Sequence, residues 1–327
     1  MITQPDFDEV QLKTRIEEEY GFAILELKAV PWGETSWGYA VEELGGQKYF
    51  AKVFPAPGIS EESLRLTDRL YSECHLENIV HPIRTRDKGL RTSFGGHSLV
   101  LFNHVEGGNQ RDHKLTVDEF RVLGRVLAKL HNATSCVSDY PVKERYETPF
   151  VKAYERILKE ISKDPGKGSE PQKELKKLLS PHLARLEREV YTLENDRLKA
   201  QAVKPKFVIC HGDLTPSNIL VTPGHDIYLA DWDAPLLAPK ERDLVFLTGP
   251  KMMFVMQGYR TILDQGDVDE KVIAYYQHWR NVRDIAAYGE RILHSRQDED
   301  QSWHDLDELV LLLGEMGIWK GKEMKKR

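Results

Sequence analysis

The chain has 327 residues and a formal net charge of −6, from 46 Lys and Arg against 52 Asp and Glu. A hydrophobic share of 40% beside a charged share of 30% supplies a buried core and excludes wholesale disorder. The acidic balance excludes a broad attractive field for nucleic acid or anionic membrane, and the length suits about two domains or lobes.

The first helix is expected over residues 8–20, where Val10, Leu12 and Ile16 form a thin apolar stripe that ends at Gly21. The runs ILELKAV, SWGYAVEEL and QKYFAKVF follow, separated by Gly33 and by the Gly45-Gly46 turn, and read as antiparallel strands. After Pro55, Pro57 and Gly58 a helix is expected over residues 60–74 with Ser60 as its N-cap. Two further strand-like runs, residues 79–84 and 97–104, complete a small sheet, and the polar, Gly-rich end of HSLVLFNHVEGG marks a lobe boundary. Residues 116–131 then place Phe120, Leu123, Leu127 and Leu130 on one helical core stripe. Residues 151–200, broken by DPGKGSEP, read as a pair of charged, solvated surface helices. Short strands return over 204–233, residues 267–317 are helical, and KGKEMKKR reads as a frayed basic tail. The order predicts an α+β protein, with a small antiparallel-sheet lobe over residues 1–103 and a larger, mainly helical lobe over 104–327.

Cys74, Cys136 and Cys210 are far apart in sequence and form no CxxC pair, which excludes a Cys-ligated zinc site and points to a reducing compartment. The acidic start MITQPDFDEV has no apolar signal core, and no run approaches the ~18 apolar residues of a membrane helix. A cytoplasmic protein is expected, without nucleic acid, membrane or an obligate protein partner.

The chemistry concentrates between Phe207 and Asp243. FVIC reads as a buried strand, HGDLTPSN as a polar loop, and NILV with IYLAD as a hairpin turning at Thr222-Pro223-Gly224-His225-Asp226. That hairpin returns Asp231 to the end where Asp213 and Asn218 lie. Phosphoryl transfer needs a carboxylate that accepts the proton of an attacking hydroxyl, and hard oxygen ligands for the Mg²⁺ that bridges the phosphates. Asp213 suits the base. Asn218, five residues on, offers an amide oxygen to the metal, and Asp231 a carboxylate. HGD alone is weak evidence, but HGDxxxxN followed after twelve residues by apolar-Asp-x-Asp is specific. Asp233 reads either as a second metal contact or as an orienting acid. His211 reads as a structural loop histidine bonding backbone, and Arg242 with Asp243 as an ion pair or a brace of the loop.

A kinase also needs a cation on the nucleotide phosphates. Lys52 in YFAKVF sits on the strand after the Gly-Gly turn, as in the VAIK motif. Its partner is expected to be Glu61 or Glu62 on the next helix, with Glu62 favoured. The loop GETSWG (Gly33 to Gly38) should cover the phosphates with hydroxyls such as Ser36 and with backbone amides. Backbone groups near Asn103 to Val105 should hold adenine.

HGDLTPSNIL, LADWD and the upstream LGRVLAKLH together resemble the aminoglycoside phosphotransferase and choline kinase family. DWDAPLLAPKERDL and YYQHWRNVRDIAAYG are similar to its spectinomycin phosphotransferase branch, although Leu214 to Ser217 replace a His-containing stretch of that branch. The resemblance implies a protein-kinase-like two-lobed fold, with nucleotide bound by the first lobe and acceptor by the second. It implies ATP-dependent O-phosphorylation of a small hydroxylated molecule, with Asp213 as base, Asn218 and Asp231 on Mg²⁺ and Lys52 on phosphate; antibiotic resistance would be the physiological role. The absence of DFG and APE, and the six residues between Asp233 and Lys240, argue against a protein kinase.

A cationic acceptor calls for carboxylates and aromatic walls. Asp284 and Tyr288, four apart on one helix face, are the acceptor-side candidates together with Asp233; the alternative for Asp284 is pairing with Arg280 or Arg283. The stripe Tyr275, Trp279, Val282, Ile285, Ala286 and Gly289 should be buried. A kinase of choline, homoserine or a sugar, a binding-only nucleotide module, and GTP in place of ATP remain open alternatives.

Overall fold

The computed structural model describes residues 7–30, 36–110, 113–163, 168–247, 249–264, 267–294 and 299–319. Gly33, Glu34 and Thr35 of the expected phosphate loop, part of DPGKGSEP and the basic tail lie outside the described residues. The chain folds as two compact units, Met1–Glu144 with Lys206–Asp267 and Arg145–Pro205 with Val268–Arg327. The boundary expected at residue 103 falls inside the first unit.

In chain order the first unit begins with α1 (Glu9–Tyr20), β1 (Ile24–Val30), β2 (Trp37–Glu43), β3 (Lys48–Phe54), α2 (Glu61–Ser72), β4 (Thr92–Phe94), β5 (His97–Asn103), β6 (Gly108–Asn109) and α3 (Val117–Asn132). The second unit starts with α4 (Val151–Ile161), α5 (Glu170–Leu179) and α6 (Leu183–Val203). The chain returns to the first unit with β7 (Phe207–Cys210), β8 (Ile219–Val221), β9 (Ile227–Leu229), β10 (Leu236–Pro239) and α7 (Pro250–Arg260), and closes in the second with α8 (Glu270–His294) and α9 (Glu299–Glu315). The class is mixed α+β, an N-terminal antiparallel sheet followed by a larger helical part, as expected.

Local signals explain the first elements. Asp8 caps α1 by accepting from the amides of Val10 and Gln11, and Gly21 ends it at φ 79°. The sheet order is β1-β2-β3-β5-β4. Alternation along β3 sends Ala51 and Val53 into a core with Leu12, Ile16, Tyr39 and Leu101, while Phe54 packs on the other face with Leu64, Val100 and Phe102. Lys52 therefore shares the face that α2 covers, paired with Gly38 on β2 and Val100 on β5. Residues 79–84 are not a strand. Pro82 lacks a backbone donor, and the segment makes only isolated bridges, Ile79 with Leu229 and Pro82 with Phe102. The fifth strand is β4, joined to β5 through Gly95 and Gly96, both at positive φ.

Deeper in this unit α3 packs on α7. A Cβ on Gly124 would meet the Val255 carbonyl at 1.9 Å, and one on Gly258 the Arg121 carbonyl at the same distance, so both glycines let the helix backbones touch. The cysteines are not all apart in space. Cys74 and Cys136 form a disulfide with Cα atoms 6.0 Å apart, whereas Cys210 is free and buried. The pairing joins segments 62 residues apart, beyond any local sequence signal.

In the second unit, residues 151–200 are not a solvated helix pair. They form three helices that bury Tyr154, Ile157 and Ile161, Leu175 and Leu179, and Leu186 and Leu193, because apolar residues recur at helical spacing among the charges. Each of the three packs against α8. On α8 the expected stripe is buried at Tyr275, Val282, Ile285, Ala286 and Gly289. Trp279 instead donates its indole N–H to the Glu147 carbonyl. Among the described residues no helix is long and apolar enough to cross a membrane.

Candidate active site

The site lies within the first unit. β7 delivers His211-Gly212-Asp213 from a buried strand. Gly212 sits at φ 85°, and a Cβ there would come within 2.1 Å of the Ala234 carbonyl, so the loop requires glycine. The Asp243 carboxylate accepts from the backbone N–H of His211 and of Gly212, each at 2.9 Å. Its Oδ2 also lies 3.2 Å from His131 Nε2, and His131 Nδ1 lies 2.9 Å from the Tyr259 hydroxyl. Arg242 Nε donates to the Gly212 carbonyl at 3.1 Å. Arg242 and Asp243 thus brace the loop. Burial pushes the Asp243 carboxyl up, but the His131 hydrogen bond and charge outweigh it and hold it below the usual carboxylate range. His211 is structural: Nε2 donates to the Ala230 carbonyl at 2.8 Å, and Nδ1 accepts from the Asp213 amide at 3.4 Å.

The β8–β9 hairpin places the remaining acids. Ile219 pairs with Leu229, and the Ala230 amide donates to the Asn218 carbonyl at 2.9 Å, so Asn218 stands beside Asp231. Asn218 Nδ2 donates to the Asp213 carbonyl at 2.8 Å. Asp231 holds a positive φ of 66°, a strained conformation for a residue with a side chain. Lys52 Nζ reaches Asp231 Oδ1 at 2.7 Å. Burial raises the Asp231 carboxyl, and the Lys52 charge and hydrogen bond bring it below its ordinary value. Asp233 is pushed up to about 6, by burial and then by the Asp231 charge, with Asp213 adding to the repulsion.

Lys52, Asn218, Asp231 and Asp233 line a cavity of about 280 Å³, together with Asn103, His104 and Val105 and the apolar side chains of Phe50, Leu64 and Phe102. Asn103 is clamped to His81: its N–H donates to the His81 carbonyl at 3.2 Å and its Oδ1 accepts the His81 amide at 2.7 Å. His104 and Val105 follow it past the end of β5 and line the cavity with it.

One expected partner is displaced. Glu62 is exposed and accepts from the Ser60 hydroxyl at 2.9 Å, while Glu61 pairs with Arg65 and Arg91. Both glutamates sit in the first turn of α2, and the helix reaches the cavity later, through Leu64 and Thr67. The carboxylate on Lys52 is Asp231. Ser36 is buried just ahead of β2. In the second unit Asp284 accepts from Arg283 Nε at 2.7 Å and lies 3.4 Å from Arg280 Nε, and Tyr288 carries the Arg291 guanidinium over its ring at 4.9 Å. No motif marks His131 or Tyr259 as part of the site. A histidine ending the apolar stripe of α3 was the available signal, since a polar group on a buried face needs a partner.

The family model described as the phosphotransferase enzyme family (APH) matches residues 26–285, and the chain belongs to that family. It is an enzyme that transfers phosphoryl groups to hydroxyls of small molecules. Among solved structures it is similar to spectinomycin phosphotransferase APH(9)-Ia in complex with ADP and spectinomycin, at 24% identity and a TM-score of 0.80, covering 97% of this chain and 100% of that one. It is also similar to amicoumacin kinase hAmiN in complex with AMP-PNP, Ca²⁺ and Ami, at 15% identity and a TM-score of 0.63, covering 95% and 93%. A third is choline kinase LicA from Streptococcus pneumoniae, at 14% identity and a TM-score of 0.59, covering 94% and 99%. No curated protein matches the chain.

Proposed function

We propose that the chain is an ATP-dependent O-phosphotransferase of a small, hydroxylated, cationic molecule, an aminoglycoside or aminocyclitol such as spectinomycin. The observation that carries this reading is the Lys52–Asp231 contact at 2.7 Å beside Asn218, whose amide is bonded to the Asp213 carbonyl. In this reading the cavity takes the nucleotide, with its purine edge on backbone at His104 and Val105 and its phosphates on Lys52. ATP and GTP both fit backbone recognition, and ATP is the nucleotide we propose. Asp231 and the Asn218 amide oxygen are a hard-oxygen donor pair suited to Mg²⁺. Bound there, Mg²⁺ supplies charge neutralisation to the phosphates. Asp213 orients the acceptor hydroxyl and takes its proton. Asp233 orients the acceptor from the cavity rim, and Ser36 contributes to phosphate contact. Asp284 and Tyr288 enter as acceptor-side groups, with a cationic substrate competing for Asp284 against Arg280 and Arg283. Such an enzyme would act in the cytoplasm and confer resistance.

The pairing of Asp284 with two arginines favours a second reading, a kinase of a less charged metabolite alcohol such as choline, homoserine or a sugar. A coupled ADP-release screen over aminoglycosides, spectinomycin, choline and amino-alcohols separates the two. Mg²⁺-ATP should raise the thermal midpoint, and EDTA should abolish the rise. Absence of any shift at millimolar Mg²⁺-ATP overturns both readings.

A further inference from the structure

The Cys74–Cys136 disulfide joins the two supports of the site. Cys74 follows α2, and the chain beyond it is bonded to β9: Asn78 Nδ2 donates to the Ile227 carbonyl at 3.1 Å, the Leu229 amide to the Asn78 carbonyl at 3.1 Å, and the Val80 amide to the Leu229 carbonyl at 2.8 Å. β9 runs directly into Asp231. Cys136 follows α3, and two residues earlier Thr134 Oγ1 accepts the Ile209 amide of β7 at 2.9 Å. β7 runs directly into the loop of Asp213. The bridge therefore ties the segment that supports Asp231 to the segment that supports Asp213. It also anchors α2, which presents Leu64 and Thr67 to the cavity.

A non-covalent clamp spans the same gap. Arg69 on α2 donates through Nη1 to both Asp139 carboxylate oxygens at 3.0 and 3.1 Å, and through Nη2 to the Cys136 carbonyl at 2.9 Å. With the bond open, α2 loses its covalent anchor and this clamp alone spans the gap, keeping the two thiols within reach of one another. Both cysteines are half-buried, within reach of small thiols, whereas Cys210 is fully buried and burial holds its thiol in the neutral, unreactive form.

We propose that Cys74 and Cys136 form a reversible redox tether that sets the nucleotide affinity of the cavity: closed, it holds α2 against the catalytic-loop support; open, it loosens α2 and weakens binding. To close it, one thiolate attacks a low-molecular-weight disulfide and expels a small thiol. The second thiolate then attacks the mixed disulfide and expels the other. Two electrons pass from the cysteine pair to the small disulfide, and the two protons go to the released thiols. A dithiol reverses the steps. The affinity claim rests on the phosphotransferase reading; the existence of the tether does not.

The test uses the full chain and two independent readouts. Native alkylation with mass detection, after oxidised glutathione, should label no cysteine; after a dithiol it should label two, mapping to Cys74 and Cys136; unfolding the reduced protein should add Cys210. The ADP dissociation constant is then measured for oxidised wild type, reduced wild type and Cys74→Ser. The reduced form and the variant should bind about fivefold more weakly or worse, and reductant should not change the variant. Two native labels after oxidised glutathione overturn the tether, and equal ADP affinity in all three forms overturns its effect on the cavity. No ADP binding by any form sinks the phosphotransferase reading and the affinity claim with it, while the labelling pattern still decides the tether.

Discussion

Two aspartates of the first unit, Asp243 and Asp231, are handled in opposite ways. Asp243 is wholly buried, and its oxygens meet two backbone N–H groups and a histidine. Asp231 is partly exposed, strained at φ 66°, held by one lysine and repelled by Asp233. A buried charge whose two oxygens both accept hydrogen bonds fixes geometry, because moving it would leave an uncompensated charge. A half-exposed charge with a competing neighbour is set to exchange partners. The first aspartate shapes the Asp213 loop and the second faces the cavity.

Substitutions can break this contrast. The largest effect is expected for Asp213→Asn, which should lower kcat by about 10²–10⁴-fold with an unchanged thermal midpoint; retained turnover removes Asp213 as the base. Asp243→Asn should act on the fold itself. It puts an amide N–H₂ among N–H donors and costs about 3–5 kcal/mol in denaturant unfolding. Equal stability of variant and wild type would show that the brace is not structural. Lys52→Ala should lower kcat/KM by about 10²-fold through nucleotide rather than acceptor kinetics, and an unchanged nucleotide KM and kcat refute its role.

A smaller effect comes from Asp233. Its folded-state value of about 6 stands above the ordinary 3.8, so between these values the folded protein holds a proton that the unfolded chain has lost. Stability should therefore fall as pH rises from about 4 to about 6. Asp233→Asn should match wild type below that window and show a higher thermal midpoint above it; parallel profiles would remove the repulsion with Asp231. The smallest effect is expected for Glu62→Ala, with the nucleotide KM within about twofold of wild type, since the side chain bonds Ser60. A loss like that of Lys52→Ala would restore the glutamate as the lysine's partner.

Much of the site was legible because its signals are local. HGDLTPSN and LADWD flank a hairpin whose turn residues are read from five consecutive positions, so the convergence of Asn218 and Asp231 follows from strand pairing alone. The role of His211 was also readable, as a short loop leaves backbone groups for it to meet. Less was legible where charge patterns mislead. Residues 151–200 looked solvated because charges outnumber the apolar residues, yet three buried rows run through them. β4 is hard to read because Thr92 to Phe94 is short, and α7 because its contact with α3 depends on one glycine from each helix, Gly258 and Gly124.

From its residues alone the chain declares an α+β phosphotransferase, with Lys52 on a strand after a Gly-Gly turn and the acids at one end of a hairpin. These depend on periodicity, turn chemistry and spacing, which act over a few residues. Tertiary structure decided that Asp231, not Glu62, meets Lys52, that His131 and Tyr259 stand behind Asp243, and that Cys74 finds Cys136. Those contacts join residues dozens to more than a hundred positions apart, and only the packed core, which brings distant segments within bonding distance, selects among the partners that composition allows.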